Sequence, residues 1–140
     1  HRPNSEPRAA LLTRVKTKNG NSIQFVGTHL DHLKDNKDRL MQAKAINQRL
    51  GQTEFPTLLV GDLNDDFNSE TLKILYKYFQ KPKIPATKQN TWPADNPKVN
   101  LDHILFNMPN RWEVLDYKVV CENYASDHCI VVATLVYNPN

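Results

Sequence analysis

The amino-acid sequence predicts a mixed α/β fold, and three observations support this prediction. Segments typical of strands and of helices alternate along the chain, one apolar run is short enough to be a buried strand, and polar residues follow several of the strands. The chain has 140 residues, of which 39% are hydrophobic. One domain, or part of one, with a packed core is therefore expected.

The first predicted element is a β-hairpin. Residues 10–16 begin apolar and then alternate between apolar and polar side chains, which is typical of a strand. Residues 18–21, Lys-Asn-Gly-Asn, contain the Asn-Gly signal of a tight turn, and residues 22–28 resume as a second strand. We therefore expect these two strands to pair with each other.

Helices are predicted on both sides of a short central strand. Residues 38–50 carry apolar side chains at helical spacing, with an aspartate at the start and Gly51 just after the end. Residues 57–60, Thr-Leu-Leu-Val, follow Pro56 and have the length and composition of a buried strand. Residues 69–79 begin with a Ser-Glu pair, which can cap a helix, and place apolar side chains on one face.

The remainder of the chain predicts a loop and three further strands. Residues 81–97 contain four prolines and several polar residues, so they are expected to form a loop. The three strands are predicted at residues 101–106, 112–120 and 129–137. The sequence contains no repeat and no low-complexity segment.

The charge balance gives a weak indication of an anionic partner. There are 18 basic and 15 acidic residues, for a formal net charge of +3. This excess is far from the dense basic surface of a dedicated nucleic-acid binder. Charge alone therefore excludes no class of phosphorylated substrate.

The two cysteines, Cys121 and Cys129, lie beside predicted strands. Their spacing matches neither a thioredoxin-like redox pair nor a zinc knuckle. A disulfide is open, but the preferred interpretation is two small, buried hydrophobic residues.

No signal peptide and no transmembrane run occurs in the sequence. The chain begins with His-Arg-Pro-Asn and has no initial methionine. We expect a processed or truncated N-terminus, which would have lost any targeting segment. The compartment is therefore open.

Polar residues at four predicted strand ends carry most of the functional information. The four segments are 27–32 (Gly-Thr-His-Leu-Asp-His), 61–66 (Gly-Asp-Leu-Asn-Asp-Asp), 100–104 (Asn-Leu-Asp-His-Ile) and 126–128 (Ser-Asp-His). Ligands and catalytic groups of layered α/β proteins collect at such edges. We therefore expect these side chains to converge on one edge of a sheet.

Each segment also has a plain structural interpretation. Asp62 and Asn64 fit an ordinary polar turn, although in an extended segment residues two apart point to the same side. His29 alone is more often a structural histidine than a catalyst, and Asp127-His128 alone is a polar turn. Asp102 lies inside an apolar strand, where an acid is costly unless paired, so a histidine partner is expected.

In this order and spacing, the four segments resemble the endonuclease/exonuclease/phosphatase superfamily, which includes pancreatic deoxyribonuclease and the exonuclease-III-type repair nucleases. The resemblance runs from about Arg8 to the C-terminus. It implies a four-layer α/β/β/α sandwich of the deoxyribonuclease-like type, of which this chain supplies about the C-terminal half. Residues 1–140 are then the C-terminal portion of a single domain.

The resemblance also implies catalytic roles. Asp62 corresponds to the carboxylate that activates or orients the attacking water, and Asn64 to the amide that contacts the scissile phosphate. His128 corresponds to the histidine that stabilises charge on the phosphate, with Asp102 as its orienting partner. His29 matches the first histidine of the deoxyribonuclease branch, a candidate general acid or phosphate ligand.

A hard divalent cation, Mg²⁺ or Mn²⁺, is the cofactor that the resemblance implies, and oxygen-rich ligands suit such ions. The expected metal-site residues are Asp62, Asn64, Asp127 and His128. The family's principal metal ligand is a glutamate that follows an upstream strand, and Glu6 does not fit that motif. We therefore expect the given chain to lack half of the domain, to bind metal poorly, to be inactive alone, and to self-associate through an uncovered apolar sheet face.

The interpretation that follows is a metal-dependent phosphoesterase acting on a nucleic acid, a phospholipid headgroup or a sugar phosphate. The alternative is an inactive remnant that binds a phosphorylated ligand or packs against a partner. Trp92 is a candidate substrate contact that could stack on a base or sugar, although a structural tryptophan fits equally. Asp31-His32 resembles a bacterial, often exported, subgroup. The substrate and the mode of cleavage are not determined by the sequence.

Overall fold

The computed structural model describes residues 5–83 and 90–139. Within these residues the elements follow one another as β1 (Ala10–Lys16), β2 (Ser22–Thr28), α1 (Lys37–Leu50), β3 (Thr57–Asp62), α2 (Glu70–Leu75), β4 (Asp102–Phe106), β5 (Trp112–Val120) and β6 (Ile130–Tyr137). A short 3₁₀ turn, Pro109–Arg111, precedes β5. The predicted mixed α/β architecture is confirmed.

The strands form a four-stranded sheet in the order β1-β2-β3-β4 and a separate antiparallel pair, β5-β6. Strands β1 and β2 form the expected hairpin, β2 and β3 are parallel, and β3 and β4 are antiparallel. The carboxyl ends of β2 and β3 therefore lie at the same edge of the sheet as the start of β4. Asp62 and Asp102 are directly paired there.

Both helices pack against one face of the four-stranded sheet. Val26, Leu59 and Leu105 lie on that face and are fully buried, as are Leu72 and Leu75 of α2. Burying a side chain of this size contributes roughly 1.5–3 kcal/mol. This core fixes the sheet edge on which the polar residues lie.

The opposite face of the sheet is apolar. Its β1–β2 part is largely uncovered, whereas Leu58 and Phe106 on the same face are buried. Leu11, Val15 and Phe25 share this face by their strand register, and they are 76%, 48% and 36% exposed. Isolated exposed apolar residues are normal, but a contiguous set is typical of a surface that packs against a partner. An uncovered apolar face was expected from the sequence. That a missing half of the domain covers it, and that the chain self-associates through it, stay predictions.

Most predicted boundaries agree with the structure, and α2 is the main difference. Ser69 caps this helix, since its hydroxyl accepts a hydrogen bond from the Leu72 backbone N–H at 3.2 Å. The helix ends at Leu75, four residues before the predicted end, and the chain continues through a turn to Phe79, which is fully buried. Of the predicted loop at 81–97, residues 84–89 lie outside the described residues.

The preferred interpretation of the two cysteines is wrong. Cys121 and Cys129 form a disulfide, and only Cys129 is buried. The pairing of β5 with β6 explains the disulfide. Val120 and Ile130 are partners, so the positions one step beyond them, Cys121 and Cys129, face each other.

No helix in the two described ranges is long and apolar enough to cross a membrane.

Candidate active site

Gly61 allows the ends of β2 and β3 to approach each other closely. Its φ is +134°, and a Cβ at this position would lie 1.9 Å from the Thr28 carbonyl oxygen. The Leu30 backbone N–H donates to the Asp62 carbonyl oxygen at 2.9 Å, which continues the contact beyond the strands. As a result His29 Nε2 lies 3.4 Å from Asp62 Oδ2.

The turn after β3 fixes the Asp62 carboxylate. Its Oδ1 accepts a hydrogen bond from the Asn64 backbone N–H at 2.8 Å, and the Asn64 amide donates to the Leu30 carbonyl oxygen at 3.0 Å. Asn64 has φ +51°, a left-handed conformation that asparagine adopts more readily than most residues. One carboxylate oxygen is therefore bound within the turn, and Oδ2 faces the two histidines.

His128 forms the expected contact with Asp102. The Nδ1 atom of His128 lies 2.8 Å from Asp102 Oδ2, and its Nε2 atom lies 4.0 Å from Asp62 Oδ2. The side chains of His128 and Asp102 are 26% and 21% exposed, so the pair is partly shielded from water. The carboxylate orients the imidazole, and Nε2 is left to face the neighbourhood of Asp62.

Thr91 connects the two members of this pair, a role that the sequence alone did not indicate. Its buried hydroxyl accepts hydrogen bonds from the backbone N–H groups of Leu101 and Asp102 at 3.0 and 3.2 Å. Its carbonyl oxygen accepts from the Cys129 N–H at 2.7 Å. One residue thus positions both the start of β4 and the residue after His128.

The pKa values of Asp62 and His128 are both raised, which favours the neutral form of the acid and the charged form of the histidine. Burial is the main cause that raises the pKa of Asp62, and the nearby Asp102 charge raises it further against the lowering effects of the Asn64 N–H and the two histidines. Burial lowers the pKa of His128, but its hydrogen bond to Asp102 and the surrounding carboxylates outweigh burial and raise it overall. Asp62 is therefore a stronger base than a free aspartate, and His128 favours its cationic form.

No protein-family model and no curated protein sequence matches this chain. Solved structures do match it. An endonuclease/exonuclease/phosphatase protein from Bacteroides vulgatus superposes with a TM-score of 0.79 at 21% identity, over 94% of this chain and 56% of that one. The fold is that of the endonuclease/exonuclease/phosphatase family. The resemblance predicted from sequence is confirmed at the level of the fold.

Two further solved structures match the chain. A mannosyl-6-phosphatase from Bacteroides thetaiotaomicron matches with a TM-score of 0.74 at 21% identity, over 94% of this chain and 58% of that one. TDP2 from D. rerio, in complex with a single-strand DNA product, matches with a TM-score of 0.74 at 16% identity, over 91% of this chain and 61% of that one. The chain therefore spans little more than half the length of these endonuclease/exonuclease/phosphatase structures.

Within the described residues, one group of potential metal ligands occurs in this endonuclease/exonuclease/phosphatase fold. Atoms of Asp62, Asp102 and His128 lie within 4.8 Å of one another. Asp62 and Asp102 can each offer a carboxylate oxygen to a cation, although Asp102 Oδ2 is also hydrogen-bonded to His128 Nδ1. A hard cation needs about six oxygen ligands, and this set fits it only in part, with water, phosphate and other protein oxygens completing the shell.

The other predicted site residues, Asp127, His29 and Trp92, are more exposed than this group. Asp127 is exposed, and its carbonyl oxygen accepts from the Ala94 N–H at 2.8 Å. His29 is about half exposed at 53%, and Trp92 is 41% exposed in the segment next to Thr91. The metal-binding roles of Asp127 and Asn64, and the substrate role of Trp92, stay predictions.

His103 and Arg39 contact the loops that carry the site residues, and neither was predicted from the sequence to have a role. His103 is 1% exposed, and burial lowers its pKa to about 4, so its ring is neutral and its Nε2–H donates to the Asp65 carbonyl oxygen at 2.7 Å. Arg39 contacts the Asp65 carboxylate at 3.3 Å and donates to the Asp31 carbonyl oxygen at 2.8 Å. Both side chains stabilise the loops after β2 and β3.

Proposed function

We propose that this chain carries the Asp–His part of the active site of a divalent-metal-dependent phosphoesterase. The observation that supports the proposal best is the position of Asp62 Oδ2, which lies 3.4 Å from His29 Nε2 and 4.0 Å from His128 Nε2. A base of raised pKa next to two imidazoles, one of them paired with Asp102, provides the groups that hydrolysis of a phosphate ester requires.

Each side chain has a distinct task in this mechanism. Asp62 accepts a proton from the attacking water, because burial raises its pKa and makes it more basic. His128 in its cationic form stabilises negative charge on a non-bridging phosphate oxygen, and Asp102 keeps it oriented. We propose His29 as the general acid for the leaving oxygen or as a ligand of the phosphate.

Asn64 and the metal supply the remaining contributions. The Asn64 amide donates one hydrogen to the Leu30 carbonyl oxygen and has a second hydrogen for a phosphate oxygen. Mg²⁺ or Mn²⁺, bound through Asp62, would neutralise charge on the phosphate and favour the nucleophile. The proposed contributions of Asp127 and of upstream carboxylates would complete its coordination.

The substrate class is a phosphate ester of a sugar, a nucleic acid or a phospholipid headgroup. Because the structural neighbours include a mannosyl-6-phosphatase and a TDP2 in complex with a single-strand DNA product, sugar phosphates and DNA ends are the first compounds to test. The exposed Trp92 could stack on either a sugar or a base. We further propose that residues 1–140 are the C-terminal portion of one domain of an exported protein, since a disulfide is typical of oxidising compartments.

The test uses the full-length gene product with sugar phosphates, phosphodiesters and short DNA substrates, in the presence of Mg²⁺ or Mn²⁺. Turnover should be abolished by EDTA and restored by the metal. Asp62→Asn and His128→Gln should each lower kcat by about 100- to 10,000-fold, the usual contribution of a positioned acid or base. Asp116→Asn, an exposed aspartate on β5, is the matched control.

Two results would contradict the proposal. One is full activity in either site variant. The other is phosphate binding without turnover in any metal, which would support the alternative of a non-catalytic binding module.

A further inference from the structure

The Cys121–Cys129 disulfide closes the loop that carries His128. Cys121 follows β5 directly and Cys129 precedes β6 directly, one step beyond the last pair of the ladder, Val120 and Ile130. Cys129 is buried and is the next residue after His128, whereas Cys121 is exposed. The covalent link therefore joins a solvent-exposed strand end to the residue beside the imidazole.

The loop between the cysteines makes few contacts with the rest of the described chain. Residues 122–126 are exposed, and the hydrogen bonds described for them stay within the loop: the N–H groups of residues 124, 125 and 126 donate to Glu122. The His128 N–H donates to the Ser126 hydroxyl at 3.0 Å, which is also local. This segment provides little support of its own for the imidazole.

Residues 127–129 are held from two sides. On one side, Asp127 and Cys129 form backbone hydrogen bonds with Ala94 and Thr91 at 2.8 and 2.7 Å. On the other side, the ladder pair Val120–Ile130 and, one step beyond it, the disulfide connect this segment to the end of β5. His128 Nδ1 lies 2.8 Å from Asp102 Oδ2. This contact depends on the position of residues 127–129 and therefore on both sets of contacts.

We propose that the oxidation state of Cys121 and Cys129 controls the placement of His128 on Asp102, and with it the activity of the site. The proposal concerns the regulation of the phosphoesterase site and rests on that function for its biological meaning. The reductant is a dithiol: the disulfide gains two electrons and two protons and becomes two thiols, while the dithiol is oxidised to a disulfide. Reduction removes the covalent link beyond the Val120–Ile130 ladder pair, so the ladder and the hydrogen bonds to Thr91 and Ala94 alone hold the loop. A low-molecular-weight disulfide reverses the step by thiol–disulfide exchange and is itself reduced to two thiols.

The experiment follows the histidine rings by NMR and needs no turnover. The full-length protein is labelled with ¹⁵N-histidine, and the proton on His128 Nδ1 is observed through its hydrogen bond to Asp102. His128→Gln assigns the signal. The oxidised protein should show it, and addition of a dithiol should remove or broaden it. Cys121→Ala should reproduce the reduced spectrum without any reductant.

His103 is the internal control for the fold, because its ring is buried and donates to the Asp65 carbonyl oxygen. Its signal should persist on reduction. An unchanged His128 signal after complete reduction, verified by mass spectrometry of the alkylated thiols, would overturn the proposal. Loss of both signals would overturn it as well, because reduction would then act on the whole fold. Since no substrate is used, an inactive protein would leave this result standing.

Discussion

Replacement of Asp102 by asparagine changes two opposing interactions at once. The carboxylate attracts the His128 cation, with Oδ2 and Nδ1 separated by 2.8 Å, and it repels the Asp62 carboxylate, with oxygens within 4.8 Å. Asparagine keeps the shape, an acceptor oxygen and the backbone contact with Thr91. The variant Asp102→Asn therefore isolates the charge.

The two distances decide which interaction is larger. For unit charges and effective dielectric constants between about 20 and 80, the attraction at 2.8 Å is about 1.5–6 kcal/mol, and the repulsion at the outer limit of 4.8 Å is about 1–3.5 kcal/mol. At equal dielectric constant the attraction therefore exceeds the repulsion by at most about 0.6–2.5 kcal/mol. Asp102→Asn should lower the free energy of unfolding by about this amount while His128 is charged.

The pH dependence follows from the sign of the His128 shift. Its pKa in the folded protein is raised, so the stability it contributes is fully present below the ordinary histidine pKa of about 6.5 and is lost as the pH rises through the folded value. At pH 6 the variant should therefore be less stable than the parent. At pH 9 only the repulsion by Asp62 is relieved, so the difference should vanish or change sign.

Urea unfolding of the parent chain and Asp102→Asn at pH 6 and pH 9, monitored by tryptophan fluorescence, measures both differences. Asp116→Asn, at an exposed position on β5, should have the same free energy of unfolding as the parent at both pH 6 and pH 9. An equal loss of stability at pH 6 and pH 9 would refute the reasoning, because it would show that Asp102 contributes through packing and not through its charge.

Three further predictions concern stability and metal binding. Replacement of both cysteines by alanine should lower the free energy of unfolding by about 2–3 kcal/mol, as expected for closure of so short a loop, in denaturation compared with and without reductant. Leu59→Ala, in the buried core, should cost about 2–5 kcal/mol, whereas Leu11→Ala on the uncovered face should change stability by less than about 0.5 kcal/mol. Calorimetry of the 140-residue chain should show weak Mg²⁺ binding, since the described cluster offers two carboxylates, Asp62 and Asp102, and one of them is paired with His128. A submicromolar Kd would contradict this ligand count.

The strand ends of the site were predictable because the change from apolar to polar residues coincides there with the end of each strand. Short apolar runs followed by polar residues identify buried strands, and parallel neighbours bring such ends to one edge. Asp62, Asp102 and His128 were placed together on this basis, and an acid inside an apolar strand required a histidine partner. Their catalytic roles rest on the resemblance and stay predictions.

The features that were missed depend on long-range pairing. The disulfide follows from the register of β5 with β6, which neither cysteine indicates through its local sequence. Thr91 lies in a proline-rich loop, and its importance depends on which backbone N–H groups approach its hydroxyl. The early end of α2 reflects tertiary packing, because Phe79 is buried after a turn although its spacing suits a continuing helix.

Gly61 has a consequence for how mutational data on this protein should be interpreted. A side chain at this position would collide with the Thr28 carbonyl oxygen and would also require a left-handed backbone. In a scan scored by activity alone, every replacement should therefore fail as completely as a change at Asp62, although glycine has no functional group to lose. Ranking positions by intolerance would count Gly61 among the reactive residues, and a parallel score for protein abundance would separate steric from chemical necessity.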